Sequence, residues 1–256
     1  MATEERIDIP LLSQILTDGV RPGTIFVVEF DPVSQWFAVA VSIVARWVKS
    51  GRRAGWVAMA RPREEIRSDL ARLGLNVLES ERANLLLVDD WHSATLGLES
   101  SRDSQERVQG EGGPYNRINS LKVSDWSVHF LKMAKEGLRD VGDDWPPGGL
   151  TLADSLSPAL RFNEEKPYLE WIENRVNPSQ RSQRGITFQG VLSGLHSSSF
   201  YTRIENAADG VLDVRVMERE EQAKNYLRIR GLKGQRHDAR WHQIEIRANG
   251  EAILTD

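Results

Sequence analysis

Residues 21–45 read Arg-Pro-Gly-Thr-Ile-Phe-Val-Val-Glu-Phe-Asp-Pro-Val-Ser-Gln-Trp-Phe-Ala-Val-Ala-Val-Ser-Ile-Val-Ala. A tight turn at Arg21-Pro22-Gly23 leads into an apolar strand over 24–29. A short loop then opens an amphipathic helix over 36–49, which Ser50-Gly51 ends. Strand, loop and helix in this order form the frame of a phosphate-binding loop. A working loop has the spacing Gly-x-x-x-x-Gly-Lys-Ser/Thr: backbone amides cradle phosphates, the lysine neutralises them and the hydroxyl holds magnesium. The corresponding positions here are Phe30, Gln35, Trp36 and Phe37, with Asp31, Pro32, Val33 and Ser34 between. Trp36 stands at the position of the cation and Phe37 at that of the metal ligand. Backbone amides approach phosphate only where side chains are absent. Phe30, Val33, Trp36 and Phe37 therefore predict an apolar plug that supports the loop in place of nucleotide.

Working outward, the 256 residues suit one α/β domain. At 40% hydrophobic and 27% charged the composition is that of a globular protein, and a net charge of −4 supplies no global field toward nucleic acid or anionic lipid. Cysteine is absent, which excludes disulfides, thiolate nucleophiles and cysteine-ligated metals. The start is polar and acidic, and no apolar stretch is long enough to span a bilayer. The expectation is a cytoplasmic protein with no membrane partner.

The pattern predicts a short helix over 9–19, strands over 55–59 and 85–90, and a helix over 62–73 closed by Gly74. Residues 97–120, rich in Ser, Gly and charge, read as a long mobile loop. A helix follows over 124–138, then a Pro/Gly-rich loop over 142–149. A strand over 150–155, a helix over 167–176 and a strand over 186–193 continue the alternation. From residue 210 the texture changes to short strands over 211–217, 225–230 and 241–246. The expected fold is α/β in a single domain, 1–256. A mainly parallel central sheet is flanked by helices, with an N-terminal segment over 1–20 and an antiparallel, strand-rich extension over 210–256.

This order of elements resembles the KaiC-like branch of the RecA-type ATPases over roughly residues 15–254. The resemblance is carried by Gly19-Val20-Arg21-Pro22-Gly23-Thr24 before the first strand and by Pro62-Arg63-Glu64-Glu65-Ile66-Arg67 in the second helix. Asp154-Ser155-Leu156-Ser157 closes the fourth strand, Glu205-Asn206-Ala207-Ala208-Asp209-Gly210-Val211 precedes the extension, and the tail carries Arg236-His237-Asp238 and Trp241-His242. It implies a RecA-like fold. In active members it also implies a loop lysine and threonine, glutamates ending the second strand that polarise water, an aspartate behind magnesium, and a lysine and arginine that reach a neighbour's phosphate. Here the glutamate positions are Ala60 and Arg61, and the lysine and arginine positions fall on Gly231 and Lys233. Of that set Asp154 is retained, with Ser155 beside it. The implication is a non-catalytic, KaiC-like pseudo-ATPase to which ATP and magnesium do not bind in the usual way. It would act as a regulatory or scaffold subunit with itself or a KaiC-like paralogue. One alternative is an ATPase rebuilt around Arg61.

Other clusters have plainer readings. Asp89, Asp90, His92 and Asp154 match no standard metal spacing and read as strand-end acids, so no metal is expected. His196-Ser197-Ser198-Ser199, set beside Asp154 or Ser155, lacks a nucleophile elbow and reads as a polar loop. Arg228, Arg230, Lys233, Arg236, His237, Arg240 and Trp241 form a basic and aromatic tract. It suits either a subunit interface or single-stranded nucleic acid, or else a charged strand edge. A nucleic-acid-binding ring subunit is therefore a further alternative.

Overall fold

The structure, a computed structural model, describes residues 5–96, 121–124, 148–219 and 221–255. The predicted loop over 97–120, most of the helix over 124–138 and most of the loop over 142–149 lie outside the described residues.

Among the described residues one nine-stranded sheet has the order β3-β2-β4-β5-β1-β6-β7-β8-β9. Its strands are β1 (Ile25–Phe30), β2 (Ala54–Ala58), β3 (Leu86–Asp90), β4 (Leu150–Ala153), β5 (Ile186–Leu192), β6 (Gly210–Arg219), β7 (Gln222–Leu232), β8 (His242–Ile246) and β9 (Ala252–Thr255). The first six pair in parallel, and β6 to β9 pair antiparallel. The helices are α1 (Trp36–Lys49), α2 (Arg63–Arg72), α3 (Val77–Arg82), α4 (His92–Thr95), α5 (Glu165–Trp171), α6 (Asn177–Ser182) and α7 (Ser198–Ala207). A 3₁₀ turn spans Ser157–Arg161 and a π turn spans Ile172–Val176.

β1 is buried at all six positions, as a central parallel strand with both faces covered must be. Phe26, Val28 and Phe30 join one core with α1, α2 and the N-terminal segment, while Ile25 and Val27 join the other with α5 and α7. This two-faced burial is why a continuous apolar run, rather than an alternating one, marks the strand. α1 carries ten buried residues out of fourteen, among them Trp36, Ile43 and Trp47. Full burial of one such side chain contributes about 1.5–3 kcal/mol, so this helix is fixed by tertiary packing more than by its ends. Gln35 at its N-cap makes no side-chain capping bond.

The structure corrects several expectations. Residues 9–19 form successive turns rather than a helix, although Ile9, Leu12, Ile15 and Leu16 are buried as the spacing required. Leu11 adopts φ 74°, which breaks a helical path, and Ile7 bridges Val20. The helix expected to stop at 176 continues to Ser182. The π turn immediately before Asn177-Pro178 opens the ladder where proline can donate no N–H. Ser198 and Ser199, read as part of a polar loop, open α7, which is capped by Ser197 accepting from the Phe200 N–H. α3, α4 and β9 also went unpredicted.

Candidate functional site

The loop 31–35 lies at the carboxyl end of β1, the edge of a parallel sheet where α/β proteins place ligands. Three aromatic rings converge beside it. Phe30 stacks on Trp36 at 6.1 Å and meets Phe37 edge-on at 5.8 Å. Trp36 is fully buried, and its indole N–H donates to the Asp154 carbonyl at 2.8 Å. Trp36 thus joins the start of α1 to the end of β4. Gly190 on β5 makes room for this junction, because a Cβ there would sit 2.2 Å from the Asp154 carbonyl oxygen and 3.0 Å from Trp36 Nε1. Val33 does not take part in the plug: it is 76% exposed at the loop's apex, a correction to the sequence reading.

The Asp154 side chain is turned inward. Its Oδ1 accepts from the backbone N–H groups of Met59 at 2.9 Å, Ala60 at 3.1 Å and Ser155 at 2.7 Å. Burial pushes its carboxyl up to about 6, although these donors and the Trp56 indole favour the charged form. Ser155 is buried too, and its hydroxyl accepts from the Ser157 N–H. Ala60 follows β2 and contributes the backbone N–H that reaches Asp154. Arg61 donates to Asp69 at 2.6 Å and Glu65 at 3.3 Å, with its guanidinium carbon 5.5 Å from the Phe37 ring centre.

The loop's other side meets the β6–β7 hairpin. Asp31 accepts from the Val216 N–H at 3.0 Å and from Arg215 at 3.2 Å, and its own N–H donates to the Val214 carbonyl. Gln35 donates its N–H to Asn225 Oδ1 at 2.9 Å. Ser34 closes a turn on the Asp31 carbonyl, through both its N–H and its hydroxyl. Pro32 is exposed.

Four cations of the basic tract are engaged by neighbouring groups. Arg228 donates to Asp213 at 2.8 Å and stacks on Trp241 at 4.3 Å. Arg230 bridges Glu29 at 2.8 Å and Glu205 at 3.2 Å. Lys233 donates to the carbonyls of Asn206 and Ala208. Arg240 pairs with Asp238 at 2.7 Å, and that pairing holds the aspartate down at about 2. Arg236 is exposed and His237 half-buried. Glu29, the one charge in a buried strand, is raised first by burial and then by neighbouring Glu205, with Arg230 opposing. Reading the tract alone missed its acidic partners Glu29 and Asp213. A signal was present at Glu29, since an acid in an otherwise apolar strand is almost never buried unless paired.

Among the described residues no group of three acids or histidines is placed to hold a metal. Asp89 accepts from the Trp91 indole, and Asp90 accepts from the N–H and hydroxyl of Ser93. His196 does meet a serine, but it is Ser157, through Nε2 to Oγ at 2.8 Å, with Glu165 3.7 Å from Nδ1. The Leu192 N–H donates to the same Ser157 oxygen at 3.0 Å. Pro158 follows Ser157 and carries no backbone N–H, and the Ser157 N–H itself is donated to the Ser155 hydroxyl. The cluster ties the ends of β4 and β5 to α7, and burial holds His196 below its ordinary value.

A crystal structure of a KaiC-like protein from the hyperthermophilic archaeon Pyrococcus horikoshii superposes on 99% of this chain and 100% of its own, with a TM-score of 0.67 and 14% identity. The chain has a KaiC-like, RecA-type fold. A UPF0273 protein of Aeropyrum pernix is 22% identical over 269 residues, spanning 100% of this chain and 95% of the relative. No protein-family model matches the chain. Within the KaiC-like fold the aromatic plug, the inward Asp154 and the hairpin contacts all gather around the loop after β1. No helix among the described residues is long and apolar enough to cross a membrane.

Proposed function

We propose that this KaiC-like chain is a pseudo-ATPase, a non-catalytic subunit that works by association with itself or with a KaiC-like paralogue. The observation that carries this reading is Trp36: fully buried at the position of the loop lysine, with its indole N–H spent on the Asp154 carbonyl. A cation cannot be placed there without displacing that ring. The motif acid is also committed, since one carboxylate oxygen takes three backbone N–H groups. Phosphoryl transfer needs positioned cations and metal around the phosphates, and this loop offers a ring stack instead.

The two alternatives have less support. Arg61, the residue available to rebuild the site, is paired with Asp69 and Glu65. Arg228, Arg230 and Arg240 are paired with acids, which weakens the phosphate attraction that nucleic-acid binding requires.

A subunit supported by its own side chains assembles without regard to nucleotide. Light scattering on the purified chain is expected to give one mass, unchanged by millimolar Mg·ATP. A mass that steps up on adding nucleotide would contradict the proposal.

A further inference from the structure

One rung of the β6–β7 hairpin holds both ends of the loop. Val216 and Asn225 are direct cross-strand partners. The Val216 N–H is donated to the carboxylate of Asp31, the first loop residue, at 3.0 Å. The Asn225 side-chain oxygen accepts the N–H of Gln35, the last loop residue, at 2.9 Å. Arg215, one residue before Val216, adds a second bond to Asp31 at 3.2 Å and also reaches Glu29 at 3.1 Å. On the other side of Asn225 the strand pairs onward with Ile244 of β8, so the rung is embedded in the sheet.

We propose that this rung is a resident clasp, in which Asp31, Val216 and Asn225 hold the loop and the start of α1 permanently in one conformation, a task left to bound phosphate in a nucleotide-dependent protein. Asn225 Oδ1 takes the place of an anionic oxygen at the start of α1, where free N–H groups and the helix dipole favour an acceptor. Asp31 anchors the opposite end by a charge-assisted bond. The loop is then fixed from both sides, by the ring stack on the sheet's core side and by the hairpin on the other. The face it presents, with Val33 at its apex, has one state and does not switch. This inference rests on the pseudo-ATPase reading and adds the element that makes the fixed state local and removable.

The test is amide hydrogen exchange on the full-length protein, read at Gln35 and Ser34, with Ile43 and Val44 in the middle of α1 as internal reference. Asn225→Ala is expected to speed exchange at Gln35 by at least about tenfold while Ile43 and Val44 keep their protection. Asn225→Asp retains the acceptor beside a helix N-terminus and is expected to keep Gln35 protected. Unchanged exchange at Gln35 in Asn225→Ala, or loss of protection in Asn225→Asp equal to that in the alanine variant with α1 intact, would overturn the clasp. Added Mg·ATP separates the two layers. If it raised protection at Gln35 in the wild-type protein, the pseudo-ATPase reading itself would fail. A clasp failure with no response to nucleotide would leave that reading standing.

Discussion

Trp36→Ala is expected to destabilise the fold by about 3–5 kcal/mol, the range for removing a buried tryptophan from a packed core. The side chain is fully buried, stacks on Phe30 and donates to the Asp154 carbonyl. The substitution therefore opens a cavity between α1 and the sheet and leaves a buried acceptor without that donor. Trp36→Phe separates the two contributions. It keeps most of the packing and loses only the hydrogen bond, so about 1–2 kcal/mol is expected. Chemical denaturation of the three proteins reads both values. If Trp36→Ala cost under about 1 kcal/mol, Trp36 would not be the support of the loop.

The second large effect belongs to Asp154. Its folded carboxyl stands at about 6, raised from an ordinary 3.8 chiefly by burial. The folded value is the higher one. The group's favourable contribution is therefore fully present below the unfolded value and is lost as pH rises through the folded value. The window is pH 4 to 6, and a shift of about two units corresponds to roughly 3 kcal/mol across it. Measured against Asp154→Asn, which does not titrate, the wild-type protein is expected to lose up to about that much relative stability between pH 4 and pH 7. Unfolding midpoints of both proteins at several pH values supply the comparison. Parallel curves would mean that Asp154 is charged throughout, free to serve a cation rather than the fold. Asp154→Ala removes the shared acceptor of three N–H groups and is expected to cost about 2–4 kcal/mol at pH 5.

Much of the fold was legible because its central strands carry unambiguous signals. The run 25–30 is apolar at nearly every position and lies between a Pro-Gly turn and a loop. The helix 36–49 begins and ends where its apolar spacing and Ser50-Gly51 place it. The unread elements had competing local signals. α7 begins in a run of serines that reads as loop. Yet Ser197 is an N-cap, and Phe200 and Ile204 have the four-residue spacing of one helical face. The opposite error fell on residues 9–19, where helical spacing was present but the chain turns at Leu11. β9 was masked by its length of four residues, although the Asn249-Gly250 turn that makes the β8–β9 hairpin was visible.

The candidate site was legible at three rings, though not at the exposed Val33 or around the loop. Phe30, Trp36 and Phe37 could be placed together because the loop spacing fixes their positions relative to one another. The partners of that loop could not. Asn225 lies 190 residues away from Gln35, and only the hairpin register brings it opposite Val216. The acidic partners of the basic tract were out of reach for the same reason. Cations on one strand say nothing about acids on the next, and Asp213 faces Arg228 only once β6 and β7 pair.

The central claim is that side chains have replaced nucleotide in this loop, and calorimetric titration of Mg·ATP into the purified protein tests it most directly. The account predicts no saturable heat and no rise in unfolding temperature up to millimolar nucleotide, since a ligand that does not bind the native state cannot stabilise it. Saturable binding at one site per chain, abolished by Arg61→Glu, would contradict it and return the site to an ATP-binding loop rebuilt around that arginine.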